Sequence, residues 1–267
     1  MRLVLVTLVL LLTALPAAAR RPAPAPGPAS VRGAPVIVLD PGHGGTNAGA
    51  LGPEAGVLEK RLTLQLAERT AGELRRLLPA ARVILTRTRD EYLTLEQRVQ
   101  RANASRADVF LSLHCNASES RGREGFESFI LSRDASDQEA ARLAQQENGG
   151  AAKLSAPRTR EGALRAILSD LHQANAHLRS LMLARAVERQ LVAVRGQPRS
   201  RGIKQAPFDV LMGLRMPGVL VEVGYIDHPV EGPQLADASV QQRLARALAV
   251  AVGEHLAARS VSAVSRR

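Results

Sequence analysis

Two histidines and two glutamates stand at positions where short motifs bring metal-binding and proton-transferring groups to exposed turns. His43 lies in Asp40-Pro41-Gly42-His43-Gly44-Gly45, where the glycines let the backbone turn sharply and leave the imidazole exposed. Glu59 opens a helical pattern, and His114 closes an apolar run in Ser112-Leu113-His114-Cys115-Asn116. Two His and one Glu are a sufficient ligand set for a catalytic zinc, with the fourth position left to water. Glu222 lies inside the apolar run Val219-Leu220-Val221-Glu222-Val223. A carboxylate there pays a desolvation cost unless it meets a cation or a donor. Such a group belongs near a metal or in a cleft, where burial would raise its pKa and fit it to take a proton from water and return it to a leaving amine. An ion pair with one of the many arginines is the competing reading of Glu222. Each histidine alone reads equally as an ordinary surface or core residue, so the signal is joint.

The elements that must position these groups alternate between strand and helix. Residues 36–39 are a short apolar run closed by Asp-Pro-Gly, which predicts a buried strand. Residues 59–78 place Leu62, Leu66, Leu74 and Leu77 at helical spacing. Strands are predicted at 82–86, 109–113, 126–131 and 219–223, with an extended stretch at 207–212. Helices are predicted at 95–105, 134–148, 161–193 and 241–258. This alternation implies an α/β fold with a largely buried sheet. In such sheets ligands bind at the strand ends and the loops beyond them, where His43 and His114 fall.

Other chemistries lack their residues. His114 and Cys115 point to opposite faces of one strand and cannot pair as a nucleophile and base, so Cys115 reads as a buried, inert thiol. A single cysteine forms no internal disulfide. The chain has no Gly-x-Ser-x-Gly elbow and no phosphate-binding Gly-Lys-Ser/Thr loop. His172 and His177 are five apart on a helix and share no face, and His228 and His255 read as solvated.

The 267 residues suffice for one large domain, and 45 % hydrophobic with 23 % charged residues is ordinary globular composition. Aromatics are only 2 %, without Trp, which argues against nucleic-acid stacking platforms and against a nucleic-acid partner. The net charge of +11 is carried almost wholly by arginine, which suits a nucleic acid, an anionic lipid surface or an acidic wall polymer without choosing between them, and arginine bias in the source genome is the competing reading. Residues 1–19 have the three parts of a secretory signal: Met1-Arg2, an apolar run from Leu3, and Ala17-Ala18-Ala19. The run is too short to span a bilayer, so no stable membrane insertion is expected after its removal. Residues 20–34, with Pro22, Pro24, Pro26 and Pro28, read as a tether, residues 35–258 as the catalytic domain, and 259–267 as a basic tail.

Taken together, these motifs resemble the zinc-dependent N-acetylmuramoyl-L-alanine amidases of bacterial cell-wall remodelling. The likeness is carried by residues 36–50, Leu58-Glu59-Lys60, Thr86-Arg87, Arg98 with Ala102-Asn103, residues 112–117, Ala135-Ser136-Asp137, Glu147-Asn148 and residues 220–227. It implies zinc held by His43, Glu59 and His114, Glu222 as general base and acid, and Asn116 near the substrate. It further implies a twisted, mostly parallel six-stranded sheet flanked by helices on both faces. The implied substrate is peptidoglycan, cut at the amide between N-acetylmuramic acid and L-alanine, with the enzyme exported to the periplasm or wall. An activator protein is left open as a further partner. Thr46-Asn47-Ala48 and Cys115 depart from the usual family residues and are expected to touch none of the implied ligands.

A secreted zinc peptidase would use the same residue set, and a wall-binding module without catalysis would need only the basic surface. Some family members are locked by a helix that lends a carboxylate to the metal. Here residues 149–160 contain no Asp or Glu, which predicts a largely open site. Glu147 and Glu161 flank that stretch and are the acids within reach of a fourth metal position.

Overall fold

The computed structural model describes residues 33–54, 56–149 and 162–264, with backbone alone for 162–175 and 259–264. The signal segment 1–19, the tether up to residue 32, the stretch 150–161 with Glu161, and the ring of His172 lie outside that description. Ala34–Arg267 cluster into one compact unit. No helix among the described residues is long and apolar enough to cross a membrane.

Six strands form one sheet: β1 (Val36–Pro41), β2 (Arg82–Leu85), β3 (Val109–Asn116), β4 (Phe126–Leu131), β5 (Ser200–Ala206) and β6 (Gly218–Tyr225). Their spatial order is β2-β1-β3-β6-β4-β5. All neighbouring pairs are parallel except β4 with β6. The helices are α1 (Glu59–Leu77), α2 (Leu95–Ala104), α3 (Gln138–Glu147), α4 (Gly162–Arg195), α5 (Glu231–Ala236) and α6 (Ala238–Val264). The architecture is thus the α/β sheet with helices that the alternating pattern predicts.

β1, β3 and β6 are the inner parallel strands, and β3 and β6 are buried along their whole length. Burial on both faces explains their near-continuous apolar composition. One face of the sheet carries Ile37, Leu39, Leu111, Leu113, Cys115, Val219, Val221 and Val223 in the larger core, with α1 and α6. The other presents Val38, Phe110 and Leu220 to a smaller core with α3 and the turn at Asp209–Leu211. Because side chains alternate, Asp40, Ser112, His114 and Glu222 fall on this second, thinner side. The face with fewer apolar residues is the face that carries the chemistry.

Three expectations are corrected. The extended stretch expected at 207–212 is a short 3-10 turn at Asp209–Leu211, and the strand is Ser200–Ala206 just before it. β5 lies at the sheet edge, where charged residues such as Arg201 and Lys204 are tolerated, so the strand lacks an apolar signature. Pro207 offers no N–H to continue the ladder. The third strand does not end at His114 but continues to Asn116. His255 is buried on α6 rather than solvated, because α6 packs between α1 and α4. His228 has a structural task, its Nδ1 accepting the Val230 and Glu231 N–H groups at 3.2 and 3.0 Å where α5 begins.

Candidate metal centre

The turn after β1 holds His43 in the left-handed region at φ 59°, an uncommon conformation for a residue with a side chain. A buried network maintains it. Asp40, wholly enclosed, accepts hydrogen bonds from Thr86 Oγ1 (2.5 Å), Arg98 Nη1 (2.9 Å) and Ser112 Oγ (2.8 Å). Arg98 also donates to the carbonyls of Pro41 (2.6 Å) and His43 (2.7 Å). Arg87 donates to the carbonyls of Gly42 (2.7 Å) and Lys60 (2.8 Å), tying the turn to the start of α1. Burial and the neighbouring Arg98 charge depress the Arg87 pKa to about 10, still protonated at neutral pH. These two arginines are internal scaffolding, so the arginine content is not wholly a surface property.

Glu59 sits in the first turn of α1, where the helix dipole favours a carboxylate. Its Oε2 accepts the Ala50 N–H at 2.8 Å and its Oε1 the Cys115 N–H at 2.9 Å, so backbone donors from a loop and from β3 fix its orientation. A Cβ on Gly49 (φ 69°) would stand 2.5 Å from Glu59 Oε2. The His114 ring lies against Gly42, where an added Cβ would come within 2.4 Å of it. Only glycine fits either place.

His43 Nε2 lies 2.9 Å and His114 Nδ1 3.2 Å from the same oxygen, Glu59 Oε1. Neither nitrogen makes a well-aligned hydrogen bond, although both are buried. Donor atoms of the three residues all lie within 4.8 Å of one another, a cluster able to hold a metal ion. Atoms that converge on one point without bonding each other are what a cation would organise. Contrary to expectation, two of the departing residues do touch ligands, Cys115 through its N–H on Glu59 and Asn47 through Oδ1, which faces His43 Nδ1 at 3.1 Å and would leave Nε2 free as the ligand atom. Burial alone would lower the His43 pKa, but the Glu59 and Glu147 carboxylates override it and carry it up to about 9. Burial pushes the Glu59 carboxyl the other way, yet the two imidazoles hold it well below the usual range. The site attracts positive charge.

Glu222 pairs in register with His114 across β3 and β6, placing both side chains on the same face. It is enclosed, and one of its oxygens has no hydrogen-bond partner. Among the described residues no arginine or lysine pairs with it, so the ion-pair reading is not supported. Burial, reinforced by the charges of Glu59, Glu147 and Glu127, pushes its pKa well above the ordinary value. Asn116, buried near the end of β3, donates from Nδ2 to Glu127 Oε1 at 2.7 Å. Glu127 is itself the cross-strand neighbour of Glu222 on β4, and Lys204 Nζ lies 2.9 Å from its other oxygen. Cys115 is a buried free thiol on the opposite face, its pKa raised by burial and by nearby carboxylates.

The expectation of a largely open site is not met. Glu147, the last residue of α3, brings Oε2 to 3.5 Å from His43 Nε2 and 3.3 Å from His114 Nδ1. Asn148 anchors this end, donating to the Pro207 carbonyl (2.8 Å) and accepting the Asp209 N–H (2.9 Å). The cavity left beside the histidines is ≈ 110 Å³, lined by Asn47, Tyr92, Leu93, Glu147 and Val210 among others. Charge composition over 149–160 missed this because the covering acid lies before that stretch. Glu147 was within sequence reach only as one of two flanking acids, and Glu127 carried no local signal.

Fold and site together define an α/β protein with a His-Glu-His cluster able to hold a cation beside a buried carboxylate. Residues 37–254 match the family described as N-acetylmuramoyl-L-alanine amidase, and the chain belongs to that family. It is 35 % identical over 219 residues to the amidase AmiA of Escherichia coli K12, covering 81 % of this chain and 74 % of that protein. It is 31 % identical over 239 residues to AmiC of Neisseria meningitidis serogroup B, covering 89 % of this chain but only 56 % of AmiC. The chain therefore spans little more than half of that relative. Among solved structures, the amidase from Clostridium difficile 630 superposes with a TM-score of 0.62 at 27 % identity, covering 84 % of this chain and 98 % of that one. The catalytic domain of CwlV from Paenibacillus polymyxa gives 0.61 at 27 % identity, covering 83 % and 98 %.

Proposed function

We propose that this chain hydrolyses the amide between N-acetylmuramic acid and the first L-alanine of the peptidoglycan stem peptide. The observation that carries this reading is the juxtaposition of the His43, Glu59 and His114 donor atoms with the buried Glu222 one strand away. Family membership supports the choice of substrate. Zinc is the cation proposed for the cluster, since two imidazoles and one carboxylate suit it. When bound there, it supplies Lewis-acid polarisation of the scissile carbonyl and acidifies water.

Glu222 takes the proton from the attacking water and returns it to the alanine nitrogen as the C–N bond breaks. Burial and the neighbouring carboxylates raise its pKa above the ordinary carboxylate value, which makes it the stronger proton acceptor this role needs. Glu127, with Lys204, adds a fixed charge pair on the far side of Glu222 from the histidines. Asn116 holds Glu127 in place and stands near the substrate in this reading.

Glu147 occupies the space that a scissile amide needs, so productive binding requires the end of α3 to move aside. An activator protein that draws α3 away is a partner consistent with that geometry. Export to the periplasm or wall belongs to the same proposal, supported by the signal-like residues 1–19.

The test is digestion of purified sacculi followed by mass spectrometry of the products, with and without a chelator. The amidase reading expects peptide-free glycan and whole stem peptides with a free N-terminal alanine, abolished by chelation. Cleavage inside the stem peptide would replace it with a peptidase, and binding without products would replace it with a wall-binding module.

A further inference from the structure

All but one of the aromatic side chains lie in the core. Phe110, Phe126, Phe129, Phe208 and Tyr225 are fully buried, whereas Tyr92 is 53 % exposed. It lines the same cavity as His43 and His114. Its exposure is not that of a frayed loop. Two residues before it, Asp90 accepts the Gly45 N–H (2.7 Å) and the Lys60 ammonium (2.8 Å). Just after it, Leu93 is buried and Thr94 closes a capping box with Gln97 at the start of α2. The backbone carrying the ring is therefore fixed against the His43 turn. An exposed aromatic ring on rigid backbone offers apolar contact area at little entropic cost.

The sheet order gives this ring a direction. Tyr92 follows β2 and abuts the turn after β1, and the order then runs β1, β3, β6. His43 stands in the turn just after the first of these strands, His114 in the second and Glu222 in the third. With strands about 4.8 Å apart, Glu222 is displaced roughly 10 Å from the β1 side, away from Tyr92. The leaving nitrogen must face Glu222, because that carboxylate delivers its proton. The acyl half of the amide must then extend the opposite way, toward Tyr92. In a muramoyl amide the acyl half is a lactyl group whose ether oxygen joins the sugar ring.

We infer that Tyr92 is the platform for the muramic acid ring, setting the substrate with its glycan over the β1–β2 side and its peptide over β6 and β4. This rests on the amidase reading and extends it to the polarity of the bound substrate. A pyranose presents a face of C–H groups, partly positive, to the negative face of the phenol ring.

The experiment compares two substrates with the same peptide and the same scissile amide: an N-acetylmuramoyl-peptide and a D-lactoyl-peptide lacking the sugar. For the parent and for Tyr92→Ala, Tyr92→Phe and Tyr92→Trp, release of the alanine amine gives kcat/KM on each. We expect Tyr92→Ala to reduce the ratio of kcat/KM, sugar-bearing over sugar-free, by about tenfold. Tyr92→Phe and Tyr92→Trp should keep the ratio within about threefold of the parent, because the stack needs a ring and not the hydroxyl. Equal losses on both substrates would assign Tyr92 to the peptide or to folding and overturn the inference. So would an unchanged ratio. Failure of the parent to release alanine from either substrate would instead overturn the amidase reading, and this inference with it.

Discussion

Replacing Asp40 by Asn tests whether the network under the His43 turn holds the site together. Asn matches Asp in shape but removes the charge opposite Arg98, leaving a guanidinium that is buried with it. It also turns one of two acceptor oxygens into a donor, facing Thr86 and Ser112 hydroxyls and Arg98 that now donate to Asp40. Breaking one partner of a buried pair costs about 3–5 kcal/mol. At about 2–4 °C per kcal/mol for a domain of this size, the melting temperature should fall by about 6–20 °C. Thermal unfolding followed by circular dichroism reads this directly. Arg98→Met should cost a similar amount, since it also strips donors from the Pro41 and His43 carbonyls. The double variant should lose less than the sum by more than about 1 kcal/mol, because each single change leaves the other charge stranded.

The same pair has a pH signature. Burial would raise the Asp40 pKa, but Arg98 and the hydroxyl donors outweigh it and hold the carboxyl below its usual 3.8. A depressed folded pKa contributes stability that is complete above the unfolded value and is lost as pH falls through the folded one. The gap between parent and Asp40→Asn should therefore be widest near neutrality and narrow below about pH 4. A melting temperature within 2 °C of the parent at neutral pH, or strict additivity in the double variant, would refute the network reasoning.

Glu222→Gln should keep its fold and its bound metal yet lose at least about 100-fold in kcat, because an amide cannot exchange the proton; turnover near the parent rate on soluble muropeptides would make Glu222 structural. Gly42→Ala forces a methyl into the His114 ring, so metal affinity measured by chelator competition should fall at least about tenfold. Affinity within twofold of the parent would show that the ring has room to shift. Glu147→Ala frees the space beside the two histidines and should raise kcat/KM on muropeptides about tenfold or more, equivalent to about 1.4 kcal/mol of barrier. An unchanged or lower rate would show that the carboxylate does not compete with substrate.

Much of the framework was legible because it is written locally. The apolar run of β1, closed by Asp40-Pro41-Gly42, and the leucine spacing of α1 report burial on a face, which neighbouring residues alone encode. β5 escaped because an edge strand needs no apolar run, and its Arg201 and Lys204 look like loop residues until Glu127 is placed beside them. His255 escaped because periodicity shows that a helix has a buried face but not how closely α1 and α4 enclose α6.

By itself the sequence determined the identity of the metal-ligand candidates and of Glu222, since the chemistry demands those residue types and the motifs present them at strand and helix ends. It also determined that His114 and Cys115 serve opposite faces, because strand alternation is a property of adjacent residues. Only the tertiary structure decided which groups stand across from them. Glu127 faces Glu222 because β4 runs antiparallel beside β6, Asp40 meets Arg98 across 58 positions of sequence, and Glu147 reaches both histidines from the end of a helix. Strand order, strand direction and helix placement arise from packing among distant segments, and local spacing carries no record of them.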